Sequence, residues 1–252
     1  MGRFPNYIII GTMKGGTTAL HDFICMHPDV DKPTQKEIHY FSLFPNNSFD
    51  WYLSHFNGDD NKIIGEASPT YFDVAYTQAI PRLIQDRCPK SRLILIVRDP
   101  IERAVSHYHH LRNVNKIKSV MDMDINEFFG RPYQRMLKQT TEVDFYLHQV
   151  IDFSLYSRKY QAYVSVINRD KILVLDASEL RTSARDAMDR VFAHIGVHDY
   201  YSDEFEKIKY SSGRNSSDLT ADVVSHLRGI FDDDFALFCK LSGMKGGQFE
   251  QV

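Results

Sequence analysis

Glu37 and His39 stand two residues apart in the stretch TQKEIHYFS. In an extended segment the carboxylate and the imidazole project to one side, while Ile38 and Tyr40 project to the other. Such a pair can supply a general base and its orienting partner; two solvated edge residues are the plainer account. A second stretch with chemical potential is GTMKGGTTAL, in which Lys14 precedes Gly15 and Gly16, and Thr17 and Thr18 follow. Backbone N–H groups of Gly15, Gly16 and Thr17 converging where a helix begins, with two hydroxyls beside them, suit a phosphate. A tight strand-to-helix turn without a ligand is the alternative. The nucleotide triphosphatase loop G-x-x-x-x-G-K-[ST] needs its lysine directly after the second glycine, and this chain has Thr17 there. Its lysine is Lys14, earlier in the loop. A third pair is Arg98, at the end of RLILIVRD, and Ser106, in the PIERAVSHYHH that follows. A guanidinium fork and a hydroxyl together can hold one phosphate. Pairing of Arg98 with Asp99 or Glu102 explains the arginine equally well.

These side chains need a scaffold. Short β-branched runs alternate with helical patterns: a strand at NYIIIG, a helix from Thr17, a strand at KIIGEAS, a helix from Thr70 to about Arg87, and a strand at RLILIVRD. A helix from Pro100 to about Asn113 follows, its proline placed where a missing N–H costs least. After a polar insert, residues 114–145, the pattern predicts a helix from about Leu147 to Ile167, a strand at KILVLD, and an amphipathic helix, ARDAMDRVFAHI, closed by Gly196. The loop KYSSGRNSSD and one or two helices from Thr220 to Leu241 complete the chain. This rhythm predicts an α/β fold, a central parallel sheet flanked by helices, with function at the carboxyl ends of the strands.

At 252 residues a single domain over residues 1–252 is expected. The net charge of −3 provides no general basic field, which argues against nucleic acid as a partner and requires any anion site to be local. No apolar run approaches a membrane span and the first strand starts almost at once, so a cytoplasmic location is expected. Cys25, Cys88 and Cys239 are odd in number and widely spaced, which predicts buried structural thiols and no disulfide framework. His107 and His110 of HYHH lack a nearby Glu or Cys to complete a ligand set, and no metal is expected. Tyr40, Phe41, Phe44, Trp51, Tyr52, Tyr71 and Phe72 follow the chemical segments and are candidates for either core or an acceptor cleft.

Taken in order, these pieces resemble the sulfotransferase family, in particular its heparan sulfate branch. The resemblance runs from about Asn6 to Leu241 and rests on IIIGTMKGGTTAL, HPDV followed by KEIHYF, GEASPTYF, LILIVRDPIERAVSHY and SSGRNSS. It implies a P-loop-like sulfotransferase fold and a donor, 3′-phosphoadenosine 5′-phosphosulfate (PAPS), leaving as 3′-phosphoadenosine 5′-phosphate (PAP) without a metal. In that pattern Gly15, Gly16, Thr17 and Thr18 belong to the 5′-phosphosulfate loop, and Lys14 meets the bridging oxygen of the breaking S–O bond. Arg98 and Ser106 match the 3′-phosphate pair, and Gly213 and Arg214 fall in a cofactor-closing loop, residues 207–218. Glu37 matches the general base, with His39 as its neighbour or as the base itself. The implied acceptor is a hydroxyl-bearing molecule, a glycan first, with a lipid or small-molecule hydroxyl as the alternative. Two departures stand out: Ser212 where a lysine is common, and Ala67 where several heparan enzymes carry a lysine. A P-loop kinase and a non-catalytic nucleotide-binding protein are the rival readings, the first weakened by Thr17. The insert 114–145 is expected to contribute to acceptor choice. Nothing in these motifs encodes an oligomeric state.

Overall fold

A computed structural model describes residues 2–74, 77–133, 141–207 and 218–244. The chain divides into two compact units, Met1–Arg98 with Lys159–Tyr210, and Asp99–Arg158 with Ser211–Val252.

In the first unit, YIIIG forms β1 (Tyr7–Gly11), buried along its whole length, as expected of a central strand in a parallel sheet. With β2 (Val30–Asp31), β3 (Ile63–Ala67), β4 (Arg92–Val97) and β5 (Ile172–Asp176) it builds a sheet of order β2-β3-β1-β4-β5. Every adjacent pair is parallel. Alternate residues of the strands, among them Tyr7, Ile9, Ala67, Ile94, Ile96 and Leu175, share one hydrophobic cluster with Leu20 and Phe23 of the helix Thr17–Ile24 and Val191 and Phe192 of the helix Ala184–Ile195. That helix ends at Gly196, whose φ of 83° is the left-handed conformation the sequence assigns to it. The edge strand β2 is too short for its sequence to have announced it.

The second unit is helical. Helices Pro100–Asn113, Lys118–Met121, Ile125–Phe129, Glu142–Ser154 and Ala221–Ser242 enclose a core that includes Ile101, Val105, Phe128, Ile151 and Leu227. Fully buried Arg103 is held by Ser154 Oγ at 2.6 Å from Nε and by the Val150 carbonyl.

Three expectations change. The predicted helix Thr70 to Arg87 is two helices, Thr70–Asp73 and Ala79–Arg87. Pro81 lacks the N–H that a continuous helix would give the Thr77 carbonyl, and its ring crowds that carbonyl, so the second helix starts just before it. The predicted helix Leu147 to Ile167 is also broken, into Glu142–Ser154 and Ser157–Val164. Leu155 is extended at the break, and the Asp234 carboxylate accepts the N–H groups of Tyr156 (2.6 Å) and Ser157 (3.1 Å), acting as a cap from a distant helix. The insert contributes two short helices whose Val120, Ile125, Phe128 and Phe129 are buried, so much of it is core. Cys25, Cys88 and Cys239 are free and buried, and burial pushes the Cys25 and Cys88 thiols up to about 11 and about 12.

Candidate active site

The loop after β1 is fixed from two directions. Thr12 N–H bonds the Ile96 carbonyl of β4 at 2.8 Å, and Met13 N–H bonds Asp73 Oδ2 at 2.8 Å. Gly15 N–H closes a turn onto the Thr12 carbonyl at 2.9 Å. Gly15 therefore serves the loop chiefly by lacking a side chain: a Cβ there would lie 2.4 Å from Thr12 Oγ1 and 2.8 Å from the Ile96 carbonyl oxygen. Lys14, at φ 64°, and Gly16, at φ 102°, turn the chain into the helix Thr17–Ile24. No side chain caps that helix, and its first-turn N–H groups have no carbonyl within it to bond. The first internal bond runs from Leu20 N–H to the Gly16 carbonyl. Helix N–H groups from Thr17 onward, the Thr17 and Thr18 hydroxyls and the half-buried Lys14 are donors of the kind that suits an anion.

Glu37 and His39 come together, though not through an extended segment. Both adopt left-handed backbone, φ 61° and 56°, conformations that side-chain-bearing residues seldom hold without support. Ile38 between them is fully buried and anchors the kink. The result brings His39 Nε2 to 3.5 Å from Glu37 Oε2, and Lys36 Nζ to 3.6 Å from Glu37 Oε1. Lys36 Nζ also donates to Thr18 Oγ1 at 2.6 Å, so one ammonium joins the Glu37 segment to the first turn of the helix after β1. The hydrogen bond from His39 foremost, then the Lys36 charge, hold the Glu37 carboxyl below its ordinary range against an opposing effect of burial.

The support comes from GEASPTYF. Glu66 is fully buried and accepts three hydroxyls: Tyr52 at 2.7 Å and Tyr71 at 2.9 Å on Oε1, and Ser68 at 2.6 Å on Oε2. Burial still outweighs these donors and raises its pKa. Ser68 Oγ, its proton committed to Glu66, accepts the His39 N–H at 2.9 Å. Thr70 Oγ1 lies 2.7 Å from His39 Nδ1 and 2.6 Å from Ser42 Oγ. Glu66, Ser68, Thr70, Ser42, Lys36 and Asp73 support the candidate residues and were not assigned from the sequence. A signal existed for some of them: GEASPTYF places a carboxylate and two hydroxyls where a strand ends.

Tyr40, Phe41, Tyr52, Tyr71 and Phe72 are buried and belong to the core, while Phe44 is 47% exposed and packs edge-on against Trp51 at 6.2 Å. Ala67 is fully buried among the sheet residues, a packing position. Arg98 follows the last residue of β4 in the first unit, and Ser106 is half-buried on the helix Pro100–Asn113 of the second. Gly213 and Arg214 lie outside the described residues, as does most of the predicted closing loop. His107 stacks on Phe153 and faces the Arg103 guanidinium. Among the described residues His27, Asp29 and His198 bring ligand-type atoms within 4.8 Å of one another. His27 Nδ1 accepts the Asp29 N–H at 3.0 Å, which leaves Nε2 to donate to the His198 carbonyl at 2.9 Å. Both ring nitrogens are thereby spent on backbone.

A family model described as a sulfotransferase domain matches residues 4–232. The human bifunctional heparan sulfate N-deacetylase/N-sulfotransferase 2 is 26% identical over an alignment covering 98% of this chain and 25% of the relative. The membrane-associated sulfotransferase kil1 of Dictyostelium discoideum is 42% identical over 109 residues, 42% of this chain and 22% of the relative. The chain thus spans about a quarter of the length of these curated relatives. Among solved structures, a sulfotransferase from Alicyclobacillus acidocaldarius superposes with a TM-score of 0.76 at 22% identity, covering 96% of this chain and 97% of that one. The mouse sulfotransferase SULT7A1, complexed with PAP, gives 0.56 at 14% identity, covering 95% and 86%. Among the described residues no helix is long and apolar enough to cross a membrane.

Proposed function

Since this chain belongs to the sulfotransferase domain family, we propose that it transfers a sulfuryl group from PAPS to an acceptor hydroxyl, a glycan first among the candidates. The observation that carries the reading is the Glu37–His39 pair, 3.5 Å apart and tied through Lys36 to the hydroxyl of Thr18 in the phosphate loop. A base and an anion cradle on one scaffold are what in-line transfer between two oxygens requires.

In this reading Glu37 takes the proton of the acceptor hydroxyl as its oxygen forms a bond to sulfur and the bond from sulfur to the 5′-phosphate oxygen breaks. Lys14 meets the charge that grows on that leaving oxygen, and the loop N–H groups with Thr17 and Thr18 hold the 5′-phosphate. The uncapped helix beginning at Thr17 fits a phosphate. Gly15 shapes the loop, Gly16 turns it, Arg98 and Ser106 take the 3′-phosphate as the resemblance implies, and Gly213 and Arg214 close over the donor. The whole of residues 1–252 serves as one catalytic domain. With Lys14 and the helix terminus supplying positive charge, no step is routed through a metal. By analogy with phosphoryl transfer, positioning and electrostatics dominate, and proton removal contributes roughly 10²- to 10⁴-fold.

The relatives named for heparan sulfate favour a glycan. Leu43 and Phe44, 56% and 47% exposed just beyond His39, favour the second reading, a lipid or small-molecule hydroxyl. Transfer of labelled sulfate from PAPS to panels of glycans, lipids and phenols decides between them. Failure of PAP to bind better than 5′-AMP would remove the donor assignment.

A further inference from the structure

The hydroxyls around His39 carry a direction. We propose that Ser42 and Thr70 fix the neutral His39 ring as its Nε2–H tautomer, so that His39 donates to Glu37 and is a positioning residue for the base, not the base.

The argument counts protons. Among the described residues His39 Nε2 faces Glu37 Oε2 at 3.5 Å, and Nδ1 faces Thr70 Oγ1 at 2.7 Å. A neutral imidazole has one N–H and one lone pair, and the neighbour of each nitrogen decides which is which. An ionised carboxylate only accepts, so a lone pair on Nε2 would oppose it, whereas an Nε2–H satisfies it. Nδ1 is then the acceptor and Thr70 must donate. Thr70 Oγ1 in turn lies 2.6 Å from Ser42 Oγ, close enough to receive that hydroxyl's proton. Each of the three side-chain contacts then carries one proton, all directed from Ser42 through Thr70 and His39 to Glu37. The reverse direction sends Ser42 to the His39 carbonyl at 3.4 Å and sets a lone pair on Nε2 against the carboxylate, which is what rules it out.

The backbone of the ring is held independently. Ser68 gives its proton to Glu66 and takes the His39 N–H, which ties the left-handed kink to a fully buried carboxyl group. An Nε2 that already bears a proton cannot accept one from an acceptor hydroxyl on the Glu37 side. That catalytic consequence rests on the function proposed above; the tautomer itself does not.

The test is a long-range proton–nitrogen correlation spectrum of histidine-labelled protein at alkaline pH, without ligands, with His39 identified by its loss in His39→Asn. The expected result is an unprotonated Nδ1 and a protonated Nε2. A proton on Nδ1, in a neutral ring or in an imidazolium that persists at alkaline pH, overturns the proposal. Thr70→Val keeps the shape and removes the donor, and should lower the ratio of Nε2–H to Nδ1–H by about two- to tenfold, the worth of one hydrogen bond. Thr70→Ser should restore it. An unchanged ratio in Thr70→Val would show that Thr70 does not set the tautomer and would also overturn the proposal. If the wild-type spectrum is as expected and sulfuryl transfer to every acceptor fails, the function falls and the tautomer stands.

Discussion

The Lys36 ammonium lies 3.6 Å from the Glu37 carboxylate and 2.6 Å from the Thr18 hydroxyl, so the residue next to the candidate base also touches the segment proposed to hold the 5′-phosphate. Together with His39 it keeps Glu37 ionised to lower pH than an ordinary glutamate. A base works only when ionised, so transfer is lost as pH falls through this lowered pKa. Lys36→Met should move the acid limb of kcat/KM upward. His39→Asn should move it further, because the His39 bond is the larger cause. The measurement is the pH profile of transfer at saturating PAPS, and limbs that stay in place in both variants would dissociate Glu37 from the limb.

Glu37→Gln keeps the shape and removes the basic oxygen. Transfer should fall by about 10²-fold or more, with PAP affinity unchanged by calorimetry. His39→Asn should cost less, since it removes a positioning donor. The reverse order of losses would exchange the two roles.

Lys14→Ala should reduce turnover more than affinity for PAP, because the charge it meets develops mainly in the transition state. Equal losses in single-turnover rate and PAP affinity would make Lys14 a general phosphate anchor.

PAP should bind far better than 5′-AMP, and EDTA should change neither. Arg98→Ala should weaken PAP by roughly ten- to a hundredfold, a lost charge-assisted contact of about 1.5–3 kcal/mol, and leave 5′-AMP nearly unaffected. Similar losses for both nucleotides would place Arg98 away from the 3′-phosphate.

Buried Glu66 has a raised pKa, so the folded state binds its proton more tightly than the unfolded chain does. Stability from this group is present below the unfolded value, about 4.3, and declines as pH rises from there toward the folded pKa. Glu66→Gln should flatten that part of the stability profile in denaturant titrations. Tyr52→Phe removes one of its donors and should cost about 1–3 kcal/mol.

What was legible in the sequence follows how far each cause lies along the chain. Ile8–Ile10 and Leu93–Val97 are local apolar runs, and both appear as buried parallel strands. The same-side placement of Glu37 and His39 was legible too, but the means was not: the left-handed kinks are held by Ser68 and Thr70, about thirty residues on. The break at Leu155 was hidden because its cap, Asp234, comes from the last helix. Glu66 was not assigned from the sequence, because only folding brings Tyr52 and Tyr71 onto it. Pro81 was visible and its effect could have been read.

The phosphate loop and the base segment hang from very different parts of the molecule. β1 is hydrogen-bonded on both sides, by β3 and by β4, and its amides should exchange with solvent only when the whole sheet opens. The segment from Glu37 to His39 belongs to no helix or strand, and it is held by the buried Ile38 side chain, the His39 N–H on Ser68 and the His39 ring on Thr70. It can detach without disturbing a ladder. Warming should therefore idle the chain before it melts, with the base segment released while the sheet and the phosphate loop beside it still hold their native form.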